Sequence, residues 1–353
     1  LDQYSNRQDI IAALRRVTYM RQRTHTAEAL QVMVEDMFSS SNGDREDAPN
    51  VAIIITNANS NINKEDTIPR AIDAKNAGVH MIAVGVGNDV DVLELNGLAS
   101  RPSELNVFLA RSQDDLPDLV EGVIDAFCND EDDCDARPCD EGDCIDDFSE
   151  YICTCDDDYT GQDCDRRCTT SNDLVLVLDL SGSVSVVTDI ITVFAERIIQ
   201  GINMAFQRTR VGIIVYSDDS ETWLDLNTYN EKLAVLNTLS FPRAGGKTNT
   251  QSALKHLRND VYSSSAGDRS GYDNKAILIT DGHSNVDEDR TQPEAEDCRD
   301  DGIELFVVAI GDTPGMDEVN GIASDPDSDH VFQVRDAGDV DDQAERLLDI
   351  LCQ

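Results

Sequence analysis

The segment from Asp173 to Ser183 is the sequence feature that most constrains the fold of this chain. An uninterrupted apolar run at 174–178 is followed by Asp179, Ser181 and Ser183, three oxygen-bearing side chains at alternate positions. Such a run predicts a strand that is buried on both faces of a parallel sheet. Open α/β sheets form their sites at the carboxyl ends of their strands. One carboxylate and two hydroxyls, with no Cys or His beside them, suit a hard divalent cation such as Mg²⁺.

Two later loops supply further oxygen-bearing side chains. Thr248 lies in the glycine loop 245–250, just before a helical pattern, and Asp281 follows a second apolar run at 276–280. Taken singly, each loop has a simpler interpretation, in which its Asp, Ser or Thr is a turn or helix-capping residue. The presence of three such loops in one chain favours a shared cation site.

This combination resembles the metal-ion-dependent adhesion site of von Willebrand factor type A (VWA) domains, which has the pattern DxSxS…T…D. The matching residues are Asp179, Ser181, Ser183, Thr248 and Asp281. The resemblance implies a Rossmann-like doubly wound sheet and a bound Mg²⁺, or alternatively Mn²⁺ or Ca²⁺. It also implies an open coordination position that takes a carboxylate from a protein partner. No Gly-x-Gly-x-x-Gly motif follows the first strand, so a dinucleotide site is not indicated.

The charge of the chain argues against several classes of partner. Its 70 acidic and 28 basic residues give a net charge of −42. Nucleic acids and anionic membrane surfaces attract Lys and Arg, so neither is an expected partner. No apolar run approaches the length of a membrane span. A bound divalent cation would reverse the local sign of the charge and let an acidic protein bind an acidic side chain.

The chain contains an internal repeat. Segment 53–61 matches segment 277–285, and Cys128 matches Cys352, with members of each pair 224 positions apart. The positions that correspond to Asp179 and its strand fall before Leu1, so we expect the first repeat to lack its opening strand and metal loop here.

The first repeat also departs from the site pattern. Thr24 matches Thr248, but Asn57 stands where the second repeat has Asp281. The loss of a negative charge predicts that a site at Thr24 and Asn57 binds a cation weakly or not at all.

The second repeat alternates strands and helices, which predicts an α/β fold. The predicted strands are 174–178, 211–216, 276–280, 303–310 and 330–334. The predicted helices are 185–206, 229–238, 250–262, 292–301, 317–323 and 339–351. We therefore expect two doubly wound, mainly parallel VWA domains, at 1–128 and 168–353, joined by a small module at 129–167.

The module contains six cysteines within residues 134–164. A segment with so little apolar content cannot form a core and requires disulfide bonds, for which spacing alone allows fifteen pairings. The cysteine spacing, Gly142 and the sequence Tyr159-Thr-Gly161 resemble an EGF-like module. The pairs that this resemblance implies are Cys134–Cys144, Cys139–Cys153 and Cys155–Cys164.

A calcium site is a further expectation for the module. Asp130, Asp133 and Asp146 match the calcium pattern of EGF-like modules, although Asp133 stands where that family usually has Glu or Gln. Two interpretations remain open: a Ca²⁺ site that stiffens the joint, or an acidic linker without a bound ion.

The remaining four cysteines lie outside the module. Cys168 and Cys352 bracket the second repeat, and the resemblance to VWA domains implies that they form a disulfide. Cys128 either has its equivalent partner before Leu1 or pairs with Cys168, and Cys298 is expected to be a small buried thiol. Disulfides in this number indicate an extracellular location.

The order VWA, EGF-like, VWA resembles matrilin-like extracellular matrix proteins, and the acidic composition resembles the thread matrix proteins of the mussel byssus. The resemblance implies a secreted, non-enzymatic matrix or adhesion protein that binds collagen or another fibrous protein through the cation. The alternative is an acidic, calcium-loaded or mineral-associated scaffold that does not depend on this site. A hydrolase is disfavoured because His256 and His283 lie in no nucleophile motif. His283 is either a contact for a partner on the rim of the site or a solvated loop residue.

Overall fold

The structure is a computed structural model. It describes residues 1–18, 23–45, 48–87, 90–101, 103–128, 133–147, 150–156, 158–161, 163–184, 188–204, 207–241 and 245–352. The chain divides into two compact units. The first comprises Leu1–Asp132 and Asp147–Glu150, and the second comprises Asp133–Asp146 and Tyr151–Gln353.

Helices and strands alternate along both repeats. The strands are β1 (Asn50–Thr56), β2 (Val79–Val86), β3 (Val107–Ala110), β4 (Gly142–Asp147), β5 (Glu150–Cys155), β6 (Tyr159–Thr160), β7 (Arg166–Arg167), β8 (Asn172–Asp179), β9 (Thr209–Tyr216), β10 (Ser220–Leu224), β11 (Asp273–Thr280), β12 (Ile303–Ile310) and β13 (Val331–Val334). The α-helices are α1 (Arg7–Leu14), α2 (Thr26–Val32), α3 (Thr67–Asn76), α4 (Val92–Leu98), α5 (Ser103–Asn106), α6 (Leu116–Cys128), α7 (Thr188–Gly201), α8 (Lys232–Leu236), α9 (Thr250–His256), α10 (Thr291–Asp300), α11 (Met316–Ile322), α12 (Asp327–His330) and α13 (Val340–Leu351).

The second repeat forms a six-stranded sheet in the order β10-β9-β8-β11-β12-β13. The pairs β9–β8, β8–β11, β11–β12 and β12–β13 are parallel, and β10 is antiparallel to β9. The expected α/β fold, with a mainly parallel doubly wound sheet, is therefore confirmed. The edge strand β10 was not predicted, because Ser-Glu-Thr-Trp-Leu lacks the apolar run that marks the buried strands.

Both faces of this sheet are covered by helices. All eight residues of β8 are buried. Its Leu174, Leu176 and Leu178 pack in one core with α7 and α13. Val175 and Val177 pack in a second core with α9, α10 and α11. Alternate residues of β8 enter different cores because successive strand side chains point to opposite faces of the sheet. With a core on each face, β8 is a central strand of the domain.

Three predicted helices have different extents in the structure. The helix predicted at 185–206 is observed as α7, and residues 185–187 and 205–206 lie outside the described part of the chain. The helix predicted at 229–238 is only the five-residue α8, because Glu231 before it is extended. The helix predicted at 250–262 is α9 followed by a π-helical turn at Leu257–Val261.

The first repeat forms a three-stranded parallel sheet, β1-β2-β3, with its own apolar core. Its edge strand β1 exposes Ile53 and Ile55 by 43% and 64%, whereas the matching Ile277 and Ile279 are 0% exposed in the second repeat. The difference arises because β11 lies between β8 and β12, while among the described residues β1 pairs with β2 alone.

The disulfide-rich segment 134–164 contains the strand pair β4–β5, and β6 in it pairs with β7 in a short antiparallel ladder. Gly142 begins β4, and a Cβ at this position would lie 2.5 Å from the Thr154 carbonyl oxygen, so glycine is required there. Among the described residues, no helix is long and apolar enough to cross a bilayer.

Candidate functional site

The end of β8 places Asp179 at the carboxyl edge of the sheet, with an exposed fraction of 0%. Its Oδ1 accepts a hydrogen bond from the Ser181 amide at 2.9 Å, and its Oδ2 accepts one from the Thr280 hydroxyl at 2.8 Å. The hydroxyl oxygens of Ser181 and Ser183 are 3.0 Å apart. Ser181 is buried and Ser183 is exposed, so this cluster of oxygens leads from the interior to the surface.

The glycine loop adjoins this first loop through the backbone. The Gly182 amide donates to the Gly246 carbonyl at 3.1 Å, and the Gly245 amide donates to the Leu180 carbonyl at 2.8 Å. Thr248 follows this contact and is 1% exposed. The loop that contains Thr248 and the loop after β8 are therefore direct neighbours.

The loop after β11 is held against Thr248 in turn. The Thr248 amide donates to Asn285 Oδ1 at 3.0 Å, and the Asn285 amide donates to the Thr248 carbonyl at 3.0 Å. Asp281 begins this loop and accepts a hydrogen bond from the His283 amide at 3.2 Å. The five residues of the sequence pattern thus lie on three adjoining loops at one edge of the sheet.

Gly282 fixes the path of the chain after Asp281. Its φ of +70° lies in the left-handed region, which favours glycine. A Cβ at this position would lie 2.7 Å from Val319 Cγ2 and 2.9 Å from the Gly315 carbonyl oxygen. The Gly315 amide donates to the Asp281 carbonyl at 2.8 Å, so the loop lies directly against the start of α11.

The electrostatics of this edge favour a cation. Burial raises the pKa of Asp179 to about 6, hydrogen bonds from Ser181 and Thr280 oppose the rise, and the nearby Asp281 carboxylate adds to it. No Lys or Arg of the described residues forms an ion pair with either carboxylate. A buried carboxylate beside a second one is costly unless a positive charge compensates it. The oxygen-only donor set fits a hard divalent cation.

The donor set relies on hydroxyl groups rather than on soft ligands. Within the described part of the chain, no group of three or more His, Cys, Asp or Glu side chains could hold a metal ion. Two carboxylates and three hydroxyls, on Asp179, Asp281, Ser181, Ser183 and Thr248, are a different kind of donor set. They have the chemistry that Mg²⁺ and similar ions accept.

The first repeat keeps one part of this arrangement and loses another. The Thr24 amide donates to Asn61 Oδ1 at 3.1 Å and the Asn61 amide donates to the Thr24 carbonyl at 3.0 Å, which reproduces the pair formed by the second repeat. Asn57 is exposed. The Thr56 hydroxyl donates to the Ala58 carbonyl at 2.6 Å, whereas its counterpart in the second repeat donates to a buried carboxylate. The loop after β1 therefore has a different local structure.

Sequence reasoning missed the polar side chains that support the three loops. Thr280 orients Asp179, and Ser284 bonds to Glu318 of α11. A signal for them was present, because Thr280, Ser284 and Glu318 each have an identical residue 224 positions earlier in the chain. The identity of these three polar residues between the two repeats indicates that they have the same structural role in both.

The two histidines that were considered as bases bond to other groups. His283 is exposed, and its Nε2 donates to the Thr313 carbonyl at 3.0 Å. The Nε2 of His256 lies 2.8 Å from the Thr222 hydroxyl. His283 therefore lies on the rim beside Asp281, held toward the loop before α11.

Three disulfides lie within the module, and a fourth joins the two ends of the second repeat. They are Cys134–Cys144, Cys139–Cys153, Cys155–Cys164 and Cys168–Cys352. Cys128 does not pair with Cys168, because Cys168 pairs with Cys352; Cys128 is a free, exposed thiol. Cys298 is a free, buried thiol, and burial raises its pKa to about 12.

The residues of the expected calcium site are only partly described. Asp133 begins a 3₁₀ turn, Asp133–Ala136. Asp146 belongs to β4, but its side chain lies outside the described part of the structure, as does Asp130.

The sequence profile of the von Willebrand factor type A domain matches residues 1–122 and 173–346. The chain belongs to the VWA family. The two matched segments are the two repeats, and the gap between them contains the disulfide-rich module. Since the profile covers both the β8 and the β11 loops, Asp179 and Asp281 lie within the second VWA domain.

Similar proteins include matrix and adhesion proteins. Over 365 residues the chain is 26% identical to bovine Matrilin-1, a match that covers 99% of this chain and 65% of the relative. It is 30% identical to bovine Integrin alpha-2 over 190 residues, which cover 51% of this chain and 16% of the relative. Among solved structures, proximal thread matrix protein 1 from the mussel byssus is 20% identical, with a TM-score of 0.46, covering 100% of this chain and 81% of that one. The VWA chain is thus related to matrix and adhesion proteins, and it spans slightly less than two thirds of bovine Matrilin-1.

Proposed function

We propose that this chain is a secreted, non-enzymatic matrix or adhesion protein whose second VWA domain binds a protein partner through a divalent cation. The observation that carries the proposal is the Asp179 carboxylate, which is 0% exposed and lies near Asp281, while no Lys or Arg in the described part of the chain forms an ion pair with it. Three hydroxyls on adjoining loops complete a set of oxygen donors at the edge of the sheet.

The chain's own residues have distinct roles in this proposal. Ser181, Ser183 and Thr248 are neutral ligands, and Asp179 and Asp281 supply the negative charge. Thr280 keeps Asp179 oriented by donating a hydrogen bond to its Oδ2. When bound, a cation such as Mg²⁺, Mn²⁺ or Ca²⁺ supplies a coordination position for a carboxylate of the partner.

The partner class follows from charge. A chain with a net charge of −42 repels acidic ligands at long range. A cation at its surface reverses that preference locally and favours an Asp or Glu side chain of a partner. The relationship to Matrilin-1 and integrin domains supports a fibrous matrix protein, of which collagen is the first to test.

The test is binding of the full chain to fibrillar collagen with Mg²⁺ or with EDTA, for the wild type and for Asp179→Ala. Asp300→Ala is the matched control, because it also removes one aspartate but lies at an exposed position of α10. The proposal expects binding by the wild type and the control in Mg²⁺, and loss of binding in EDTA and in Asp179→Ala. Undiminished binding by Asp179→Ala would refute it.

A second candidate function rests on the 70 acidic residues. An acidic scaffold that accumulates Ca²⁺ or contacts mineral would use its surface charge instead of the site. In the same experiment, that function predicts equal retention of wild type and Asp179→Ala on the matrix, with weaker retention at high salt.

The module is a separate proposal for calcium. Asp130, Asp133 and Asp146 would hold Ca²⁺ there. In a chain divided into domains at 1–128, 129–167 and 168–353, the bound ion would stiffen the middle module. A double variant Asp133→Asn/Asp146→Asn that keeps the wild-type number of bound Ca²⁺ ions would contradict this.

A further inference from the structure

A part-buried polar contact between Ser284 and Glu318 connects the loop of Asp281 to helix α11. The Glu318 carboxylate accepts hydrogen bonds from the Ser284 amide, at 3.1 Å from Oε2, and from the Ser284 hydroxyl, at 2.6 Å from Oε1. Ser284 is 7% exposed. Neither residue belongs to the DxSxS…T…D pattern.

The contact extends to the loop of Thr248. The Ser284 and Thr250 hydroxyls are 2.6 Å apart, and Thr250 is 0% exposed. Thr250 begins α9, two residues after Thr248. Since Ser284 has one hydroxyl proton, which it donates to Glu318, it accepts from Thr250. Glu318 therefore anchors a chain of hydrogen bonds beneath two of the three site loops.

Glu318 provides one of several attachments that hold the Asp281 loop. Asn285 joins the loop to Thr248, and the Asp281 carbonyl accepts from the Gly315 amide. Without an acceptor at Glu318, the Ser284 amide would lose its partner in a buried position, and the Ser284 hydroxyl would be left with the Thr250 hydroxyl. An unpaired buried donor is destabilising, so the loop would move toward water and carry Asp281 with it.

The first repeat provides an internal comparison. The Ser60 amide donates to Glu94 Oε1 at 2.8 Å, which matches the amide contact of Ser284. The Ser60 hydroxyl and Glu94 Oε2 have no hydrogen-bond partner among the described residues. The complete set of bonds thus occurs in the repeat that also has the complete site pattern.

We propose that Glu318 is a positioning residue of the cation site, acting through Ser284 to hold Asp281 in place. This inference rests on the proposed function of that site. Residues that orient metal ligands from outside the coordination sphere change metal affinity by about 10–100-fold when they are removed. Glu318 acts as a hydrogen-bond acceptor for Ser284, and its negative charge is not the essential property.

Three variants of the full chain separate these properties. Glu318→Ala removes the acceptor. Glu318→Gln removes the charge and keeps one acceptor oxygen, which can accept from the Ser284 hydroxyl, in place of the two oxygens of the carboxylate. Asp317→Asn is the matched control, because it removes a charge from the neighbouring position of α11, where the side chain is exposed.

Two measurements are made on each variant: Mn²⁺ affinity by calorimetry, and hydrogen–deuterium exchange of residues 281–285 in EDTA. We expect Glu318→Ala to bind Mn²⁺ at least about ten-fold more weakly, by the same principle, and to exchange faster in this loop. Glu318→Gln and Asp317→Asn should both stay within a few-fold of the wild type in affinity, with unchanged exchange.

Each other outcome has a distinct meaning. If the wild type binds Mn²⁺ and Glu318→Ala binds it equally well, the positioning role is overturned and the proposed function stands. If Glu318→Gln loses as much affinity as Glu318→Ala, an acceptor for the Ser284 hydroxyl is not the property that the site requires, and the positioning role is also overturned. If the wild type binds no Mn²⁺, the proposed function fails, and the positioning role fails with it.

Discussion

Thr248 and Asn285 form a reciprocal pair of hydrogen bonds that joins two loops of the site. Thr248 N donates to Asn285 Oδ1, and Asn285 N donates to the Thr248 carbonyl, each at 3.0 Å. The same pair occurs between Thr24 and Asn61 in the first repeat. The pair therefore belongs to the VWA framework, and it sets the spacing between Thr248 and the loop of Asp281.

Substitution of Asn285 should separate these loops. Asn285→Ala removes one of the two hydrogen bonds, so we expect a loss of about 1 kcal/mol in the free energy of unfolding and weaker Mg²⁺ binding. Urea denaturation and calorimetric titration measure the two effects. Asn61→Ala is the control, because it breaks the same bond in the first repeat and should leave Mg²⁺ affinity unchanged.

Asp179 should make the metal-free protein less stable as pH rises. Its folded-state pKa of about 6 is above the ordinary value of 3.8, so between these values the folded state binds more protons than the unfolded state. The contribution of Asp179 to the free energy of unfolding should then fall by about 3 kcal/mol from pH 4 to above pH 6. Asp179→Asn should lack this decrease, so in EDTA it should be the more stable protein at pH 7. Urea denaturation of both proteins at pH 4 and pH 7 tests the sign, and a wild type more stable than Asp179→Asn at pH 7 in EDTA would contradict it.

The two repeats should differ in their contribution to cation binding. Thr248→Ala removes a proposed ligand, so we expect Mn²⁺ affinity to fall on the order of ten-fold or more. Thr24→Ala, the equivalent change in the first repeat, should have no effect, because Asn57 stands in the place of Asp281. Calorimetric titration of the full chain measures both variants, and equal losses would show that the repeats share the activity.

The Cys168–Cys352 disulfide should contribute strongly to stability. It closes a loop with a sequence separation of 184, for which the chain-entropy relation gives about 5 kcal/mol. We expect the double variant Cys168→Ser/Cys352→Ser to unfold at a much lower urea concentration. Cys128→Ser, which changes a free and exposed thiol, should leave the midpoint unchanged.

Several features could be predicted from the sequence because they depend on local patterns. The apolar run at 174–178 predicted the buried central strand, since only a strand covered on both faces requires such a run. The match between segments 53–61 and 277–285 predicted two domains of the same family, and the Thr–Asn pair occurs in both. The strand β10 was missed because its alternating, half-exposed residues carry no comparable pattern.

The sequence by itself determined the α/β class, the repeat, and which oxygen-bearing residues follow strands β8 and β11. Tertiary structure alone decided what lies beneath those residues. Glu318 is 34 positions from Ser284, and Thr280 is 101 positions from Asp179. Contacts at such separations depend on strand order and helix packing, which no local pattern contains. The burial that raises the pKa of Asp179 likewise arises only when the neighbouring strands and loops enclose the end of β8.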